Sequence, residues 1–255
     1  MEVHHPHHPT HKKKWSEYII EFVMLFAAVT LGFFAENVRE HQIIEHKTDL
    51  NLESVVLDLK EDSALIQARI KEYENASTYL FQLNDLFIDY QLNRVSKDAY
   101  INKVLLISDS LIFGTSFYIN NSSYKNTIAS GSFSNINSTE LKRTISNYYE
   151  VLGTKLNDNN MILDDVAEYY MVNTLPKPGG LVAPIIGRMD KKKIEILKKF
   201  YKSNGLFENS LLRKDFIHYN QKAIDRVLLY LYLMEIFEEK NKELIDLLNK
   251  DLNEH

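Results

Sequence analysis

The chain reads as all-α, with an N-terminal transmembrane helix running on into a long helix and an extracytoplasmic antiparallel helical bundle behind it. Three observations predict this. Glycine and proline are scarce, eight and five in 255 residues, with no proline between Pro9 and Pro176, so the punctuation that turns sheets is missing. One apolar block, Tyr18 to Ala35, carries a single charge, Glu21. Apolar residues then recur at heptad spacing along two long segments.

Residues 1–14 form a His/Lys-rich tail broken by prolines, with no packed structure expected. Residues 15–37 are the predicted span. A helix needs roughly 20 apolar residues to cross a bilayer core of about 30 Å. The run reaches this length only if Glu21, one turn inside the near end, reaches the headgroups. Trp15 and Tyr18 suit the interfacial aromatic belt. A secretory signal would need a small-x-small cleavage site, but the run ends Gly32-Phe33-Phe34-Ala35-Glu36. A surface-lying helix would need a polar face, and a core helix would not carry three flanking lysines. Lys12, Lys13 and Lys14 precede the run, whereas Arg39 and Lys47 beyond it are diluted by Glu36, Glu40 and Glu45. The positive side stays inside, so the N-terminus is expected in the cytoplasm and residues 38–255 outside it. The absence of cysteine permits that compartment.

The pattern predicts one helix from Trp15 far past the span. Leu52, Leu59, Ile66, Tyr73, Leu80 and Phe87 hold one seam; Val55, Ala76, Leu83 and Tyr90 hold the second, interrupted by Asp62 and Arg69. If continuous from Glu36 to Tyr90, it would project about 80 Å at 1.5 Å per residue. Ser96 opens a second helix ending near Asp109. The Ser/Asn stretch from Gly114 to Ser138 holds a short helix at Tyr124 to Ala129, stopped by Gly131. Ser138 or Thr139 caps a helix running to about Val172, with a bend expected near Gly153 or Asn157 to Asn160. A Pro/Gly loop and a short helix, Lys191 to Lys202, follow. The last helix is expected from Ser210 to Leu252. Its seams are Ile217, Ile224, Leu231, Ile245 and Leu252, with Val227, Met234 and Leu248 opposite; Asn220, Glu238 and Asn241 are polar exceptions. Val227 to Met234 is apolar all round and is expected to be buried on several sides.

The blocks HHPHHPTHKKKW, FVMLFAAVTLGFFAENVREH and LDLKED, with SSYKNTIASGSFSNINSTELKRTISNYY in the middle of the chain, resemble uncharacterised single-span helical proteins of Bacteroidetes. The resemblance covers nearly the whole chain. It implies an inner, cytoplasmic membrane with the helical part in the periplasm. The group has no assigned activity, so no site residue is carried over.

Candidate sites are few. His4, His5, His7, His8 and His11 are weak metal ligands without a second shell. His41 and Glu45 share a helix face near the span. Ala28 and Gly32 form a small-xxx-small pair that lets spans approach closely. Leu181, Val182, Ile185 and Ile186, with the Ser/Asn stretch, are the candidate surfaces for a partner or ligand, the apolar loop being read first as a cap over the core. Acidic residues exceed basic ones by five in the whole chain. Residues 1–35 hold three of each, so the rest carries the full excess and lacks the basic footprint of nucleic-acid binding. There is no nucleophile elbow, zinc helix or phosphate loop, His218 is read as a helix-surface residue, and no cofactor is implied. The expectation is a structural or interaction protein, not an enzyme, whose partners are the lipid bilayer, a second copy or a membrane protein. The competing reading is a ligand-binding sensory domain signalling through a separate protein.

Overall fold

The computed structural model describes residues 14–111, 114–174, 191–206 and 211–254. Its regular structure is all helical, with no strand among these residues. Helix α1 runs unbroken from Trp15 to Gln91, 77 residues, as the lack of glycine or proline between Gly32 and Gly114 predicts. It contains an 18-residue window of mean hydropathy 2.1, none of it buried, and is the one described helix long and apolar enough to cross a membrane. Every residue from Trp15 to Lys47 is exposed; the first buried one is Thr48.

From there α1 is the spine of the core. Leu52, Leu59, Ile66, Tyr73, Leu80 and Phe87, the first predicted seam, are all buried, as are Val55, Ala76 and Leu83 of the second. Helices α2 (Lys97–Ser110), α3 (Ser122–Ala129) and α4 (Ser132–Asn135) pack on α1. Next come α5 (Thr139–Ser146), a π-helical turn (Asn147–Leu152), α6 (Gly153–Asn173) and α7 (Lys191–Ser203). Helix α8 (Phe216–Asn253) closes the described chain. It packs on α1, with α5 and α6 against it. Asn241 bonds to Leu59 and Asn220 to Leu80, so α8 runs antiparallel to α1.

The caps follow from sequence. Ser96 accepts from the Ala99 N–H at 3.3 Å and Ser138 from the Leu141 N–H at 3.1 Å, each satisfying a donor that the first helical turn leaves open. Gly131, at φ 79°, separates α3 from α4. Lys202 Nζ donates to Asn102 Oδ1 at 2.9 Å, tying α7 to α2.

Two expectations are corrected. Helix α8 starts at Phe216, not Ser210. Its core-facing seams are Asn220, Val227, Met234, Asn241 and Leu248 with Ala223, Tyr230, Phe237 and Leu244; Ile217, Leu231, Ile245 and Leu252 lie half-buried on the flank. The aromatic positions Tyr230 and Phe237 fill the interhelical space better than the aliphatic positions beside them. The Val227 to Met234 section, expected to be buried on several sides, buries one broad face through Val227, Tyr230, Leu233 and Met234 and leaves Leu228, Leu229 and Tyr232 exposed. Helices α1 and α6 cover only part of its circumference. The irregularity in the α5–α6 rod is the π-turn Asn147–Leu152, next to Gly153, and α6 continues unbroken through Asn157 to Asn160.

Two of the polar exceptions, Asn220 and Asn241, are fully buried, and the amide nitrogen of each is hydrogen-bonded. Asn220 Nδ2 donates to the Leu80 carbonyl and to Asn84 Oδ1, both at 2.7 Å, while its Oδ1 accepts from the Tyr170 hydroxyl at 2.6 Å. Asn241 Nδ2 donates to the Leu59 carbonyl at 3.0 Å and to the Tyr148 hydroxyl at 3.1 Å. Removing such a partner costs the desolvation of what it satisfied. Asn220→Ala is therefore expected to lose about 2–3 kcal/mol of unfolding free energy. In the presence of Tyr170→Phe the same substitution should cost measurably less, since no hydroxyl is then deprived of its acceptor. Denaturant titration of the two single variants and the double variant reads the difference.

Candidate functional site

Between α2 and α3 the chain is non-helical from Gly114 to Asn121, and side chains from three helices take up its backbone groups. The Tyr73 hydroxyl of α1 donates to the Thr115 carbonyl at 3.2 Å. Asn160 of α6 donates to the Phe117 carbonyl at 2.7 Å, and the Tyr230 hydroxyl of α8 accepts from the Phe117 N–H at 2.9 Å. Tyr230 donates in turn to Asn160 Oδ1 at 2.7 Å, closing the ring. Asp62 of α1 accepts from the Asn120 N–H at 3.0 Å, and Asp58, one turn earlier, accepts from the Ser123 N–H at 2.9 Å. Asp58 thus caps the first turn of α3, where the helix dipole favours negative charge, and Asp62 holds the backbone just before it. Gly114 begins the segment at φ 91°, and a Cβ there would stand 2.6 Å from the Ala167 Cβ. Both the backbone conformation and the close approach require glycine.

Asn51 fixes the far end of α3. Its amide donates to Ser130 Oγ at 3.0 Å and Ser132 Oγ at 2.8 Å, and its oxygen accepts from Asn126 Nδ2 at 3.1 Å. The Ser/Asn composition of this stretch therefore supplies short-range polar bonding around the Gly131 turn.

The segment 114–121, α3 and the π-turn enclose a cleft of about 280 Å³. In the π-turn the Gly153 N–H bonds to the Tyr148 carbonyl, five residues back, a geometry often met at functional positions. The wider turn lets consecutive Tyr148 and Tyr149 both point inward. Tyr148 meets Asn241 and Phe237; Tyr149 stacks on Tyr124 with centroids 4.3 Å apart and planes 4° from parallel. This stack and the bare backbone of buried Gly153 form the floor. Tyr118, Asn121 and Lys125 line one side, and Glu150, Thr154 and Asn157 the other.

Beneath the floor lies a cluster of buried ionisable groups. Burial pushes the Asp62 carboxyl up to about 7; the Asn120 N–H opposes this, and the charges of Asp58 and Glu61 add to it. Burial likewise raises Tyr149, helped by Tyr148, Asp62 and Asp58, and its hydroxyl has no hydrogen-bond partner. Tyr124 is pushed up to about 12 by burial and by Glu150.

Ala28 and Gly32 lie in the exposed part of α1, with nothing within 4 Å of a Cβ built at Gly32. His41 Nε2 lies 3.2 Å from Glu45 Oε1 on the exposed surface, and no group of three metal-ligating side chains occurs among the described residues. His218 is exposed. The histidine tail, His4 to His11, and the loop Leu181, Val182, Ile185 and Ile186 lie outside the described residues. The Ser/Asn stretch named from the sequence supplies one wall of the cleft, and the opposite wall, Tyr149 to Asn157, was not read from the sequence. Asp62 was visible as a flaw in the seam, and Asp58 and Asp62 both stand in the LDLKED block, but one sequence gives no sign of which backbone they serve. No family model, no curated protein and no solved structure matches this chain.

Asp62 binds its proton more tightly folded than unfolded, so its contribution to stability falls as pH rises from 3.8 to about 7 and is level beyond. Asp62→Asn keeps an oxygen for the Asn120 N–H and removes the charge. Relative to the parent, this variant is expected to gain thermal stability progressively from acid to neutral pH, in far-UV circular dichroism melts of the full chain in detergent micelles. An unchanging difference between the two would show that the carboxyl does not titrate there.

Proposed function

We propose that this is a single-pass membrane protein, N-terminus in the cytoplasm, that presents residues 38–255 as an extracytoplasmic helical bundle for self-association or for a membrane-protein partner. The observation that carries the reading is the continuity of α1. The same helix that holds the apolar window becomes, from Thr48 on, the central element of the core. Nothing hinges between anchor and domain. The three lysines before the window support the direction, and the resemblance to single-span Bacteroidetes proteins supports a periplasmic location. A reporter fused at the C-terminus, one active only outside the cytoplasm, is expected to be active. Activity of a cytoplasm-only reporter at the same position would reverse the orientation.

Self-association is assigned to the face bearing Ala28 and Gly32. Ridges of small residues let two backbones approach closely, and Gly32 meets no other part of the described chain. Gly32→Leu is expected to reduce the yield of crosslinked dimer in native membranes several-fold. An undiminished yield would move the contact elsewhere. Affinity purification after crosslinking then separates the partners: reproducible recovery of one other membrane protein supports assembly with it, and recovery of the chain alone supports the homo-oligomer.

A further inference from the structure

We propose that the cleft over the Tyr124–Tyr149 stack is a binding site for a small zwitterion of the free α-amino-acid class. This goes beyond the interaction role above and stands without it.

Size sets the first bound. About 280 Å³ equals roughly nine waters at ~30 Å³ each, enough for one small metabolite and too little for a folded partner's side-chain cluster or a lipid tail. The lining sets the chemistry. Lys125 from α3 and Glu150 from the π-turn face the same space, and no carboxylate of the described residues forms an ion pair with Lys125 within 4 Å. The protein thus presents one positive and one negative group to the cleft without neutralising either on the other. A simple anion would meet Glu150, and a simple cation would meet Lys125; each would be opposed by one of them. A molecule with a carboxylate and an ammonium matches both. Asn121, Thr154 and Asn157 add amide and hydroxyl groups at the rim, which would be costly to cover with an apolar ligand. They suit the remaining hydrogen-bonding capacity of the two ionic ends.

The rest of the site is preorganised. The floor is a rigid aromatic pair, and both rings are more than nine-tenths buried. The wall carrying Tyr118 and Asn121 is held by Asn160 and Tyr230 at Phe117 and by Asp62 at Asn120. Polar groups fixed in advance around a small cavity with an aromatic base are the usual make-up of a small-molecule site. The exposed aromatic face of Tyr118 is placed to cover the side chain of a bound amino acid or to meet its ammonium. At Gly153 the nearest neighbours of a Cβ would be the Ile119 side chain at 3.4 Å and the Tyr148 carbonyl at 3.7 Å. The backbone therefore tolerates a side chain there, which would project over the floor.

The test uses the full chain in detergent micelles and the common free L-amino acids as probes, with glucose, succinate and putrescine as neutral, anionic and cationic counterparts. One amino acid or a related subset is expected to raise Tm saturably by about 2–4 °C at saturating concentration, with the three counterparts inactive. Lys125→Met and Glu150→Gln should each abolish that shift while leaving the unliganded Tm unchanged within a degree or so, because both side chains are exposed. Gly153→Leu, which fills the cleft without altering its charge, should abolish it too. A shift with succinate or putrescine but with no amino acid, no shift with any amino acid, or a shift that survives all three substitutions would each overturn the proposal.

Discussion

The structure turns on one arrangement: buried polar side chains of α1, α6 and α8 hold the backbone of the non-helical segment 114–121. A non-helical stretch laid against a core brings N–H and C=O groups that must find partners. Here Tyr73, Asn160, Tyr230 and Asp62 provide them. These side chains occupy positions that a purely apolar core would fill with leucine or phenylalanine. The core gives up some apolar burial there, and in exchange a connecting segment lies in a single conformation against three helices. The wall of the cleft is one product of that exchange.

The same arrangement joins the two halves of the molecule's design. Asp58 and Asp62 stand on α1, the helix that carries the apolar window, and they grip the backbone at the start of α3. The π-turn faces them across the cleft floor, where Tyr149 feels both carboxylates. Helix α1, its two carboxylates, the aromatic floor and the cleft are therefore consecutive layers of one packed unit.

Much of this fold was legible in the sequence, and the limits are instructive. The first seam of α1 could be read residue for residue, because it is apolar and strictly periodic, and the Ser96 and Ser138 caps followed from local chemistry alone. One seam of α8, that of Val227, Met234 and Leu248, is core-facing as read, and the other was read one position off. An aliphatic series at Ile217, Leu231 and Ile245 competes with the aromatic series at Tyr230 and Phe237, and only the shape of the space between helices decides which turns inward. Asn220 and Asn241 looked like interruptions, and periodicity has no means of telling a buried, bonded asparagine from an exposed one. The π-turn left no mark other than the paired tyrosines. The Ser/Asn stretch pointed to one wall of the cleft, but not to the other, because the approach of the two walls is fixed by Asp62, Asn160 and Tyr230, residues that seemed either out of place or unremarkable along the chain.

Asn220 and Asn241 are twenty-one residues apart on α8, and so are the carbonyls they hold on α1, Leu80 and Leu59. Two equal spacings on antiparallel helices act like a pair of teeth in a rack. Sliding one helix along the other by a single turn, about 5.4 Å, withdraws both asparagines from their carbonyls at once. The interface has no intermediate setting that keeps one tooth engaged. A piston stroke of α1 against α8 must break both bonds together, so a displacement delivered to the N-terminal end of α1 is carried at lower cost by tilt or rotation of the helical domain as one body.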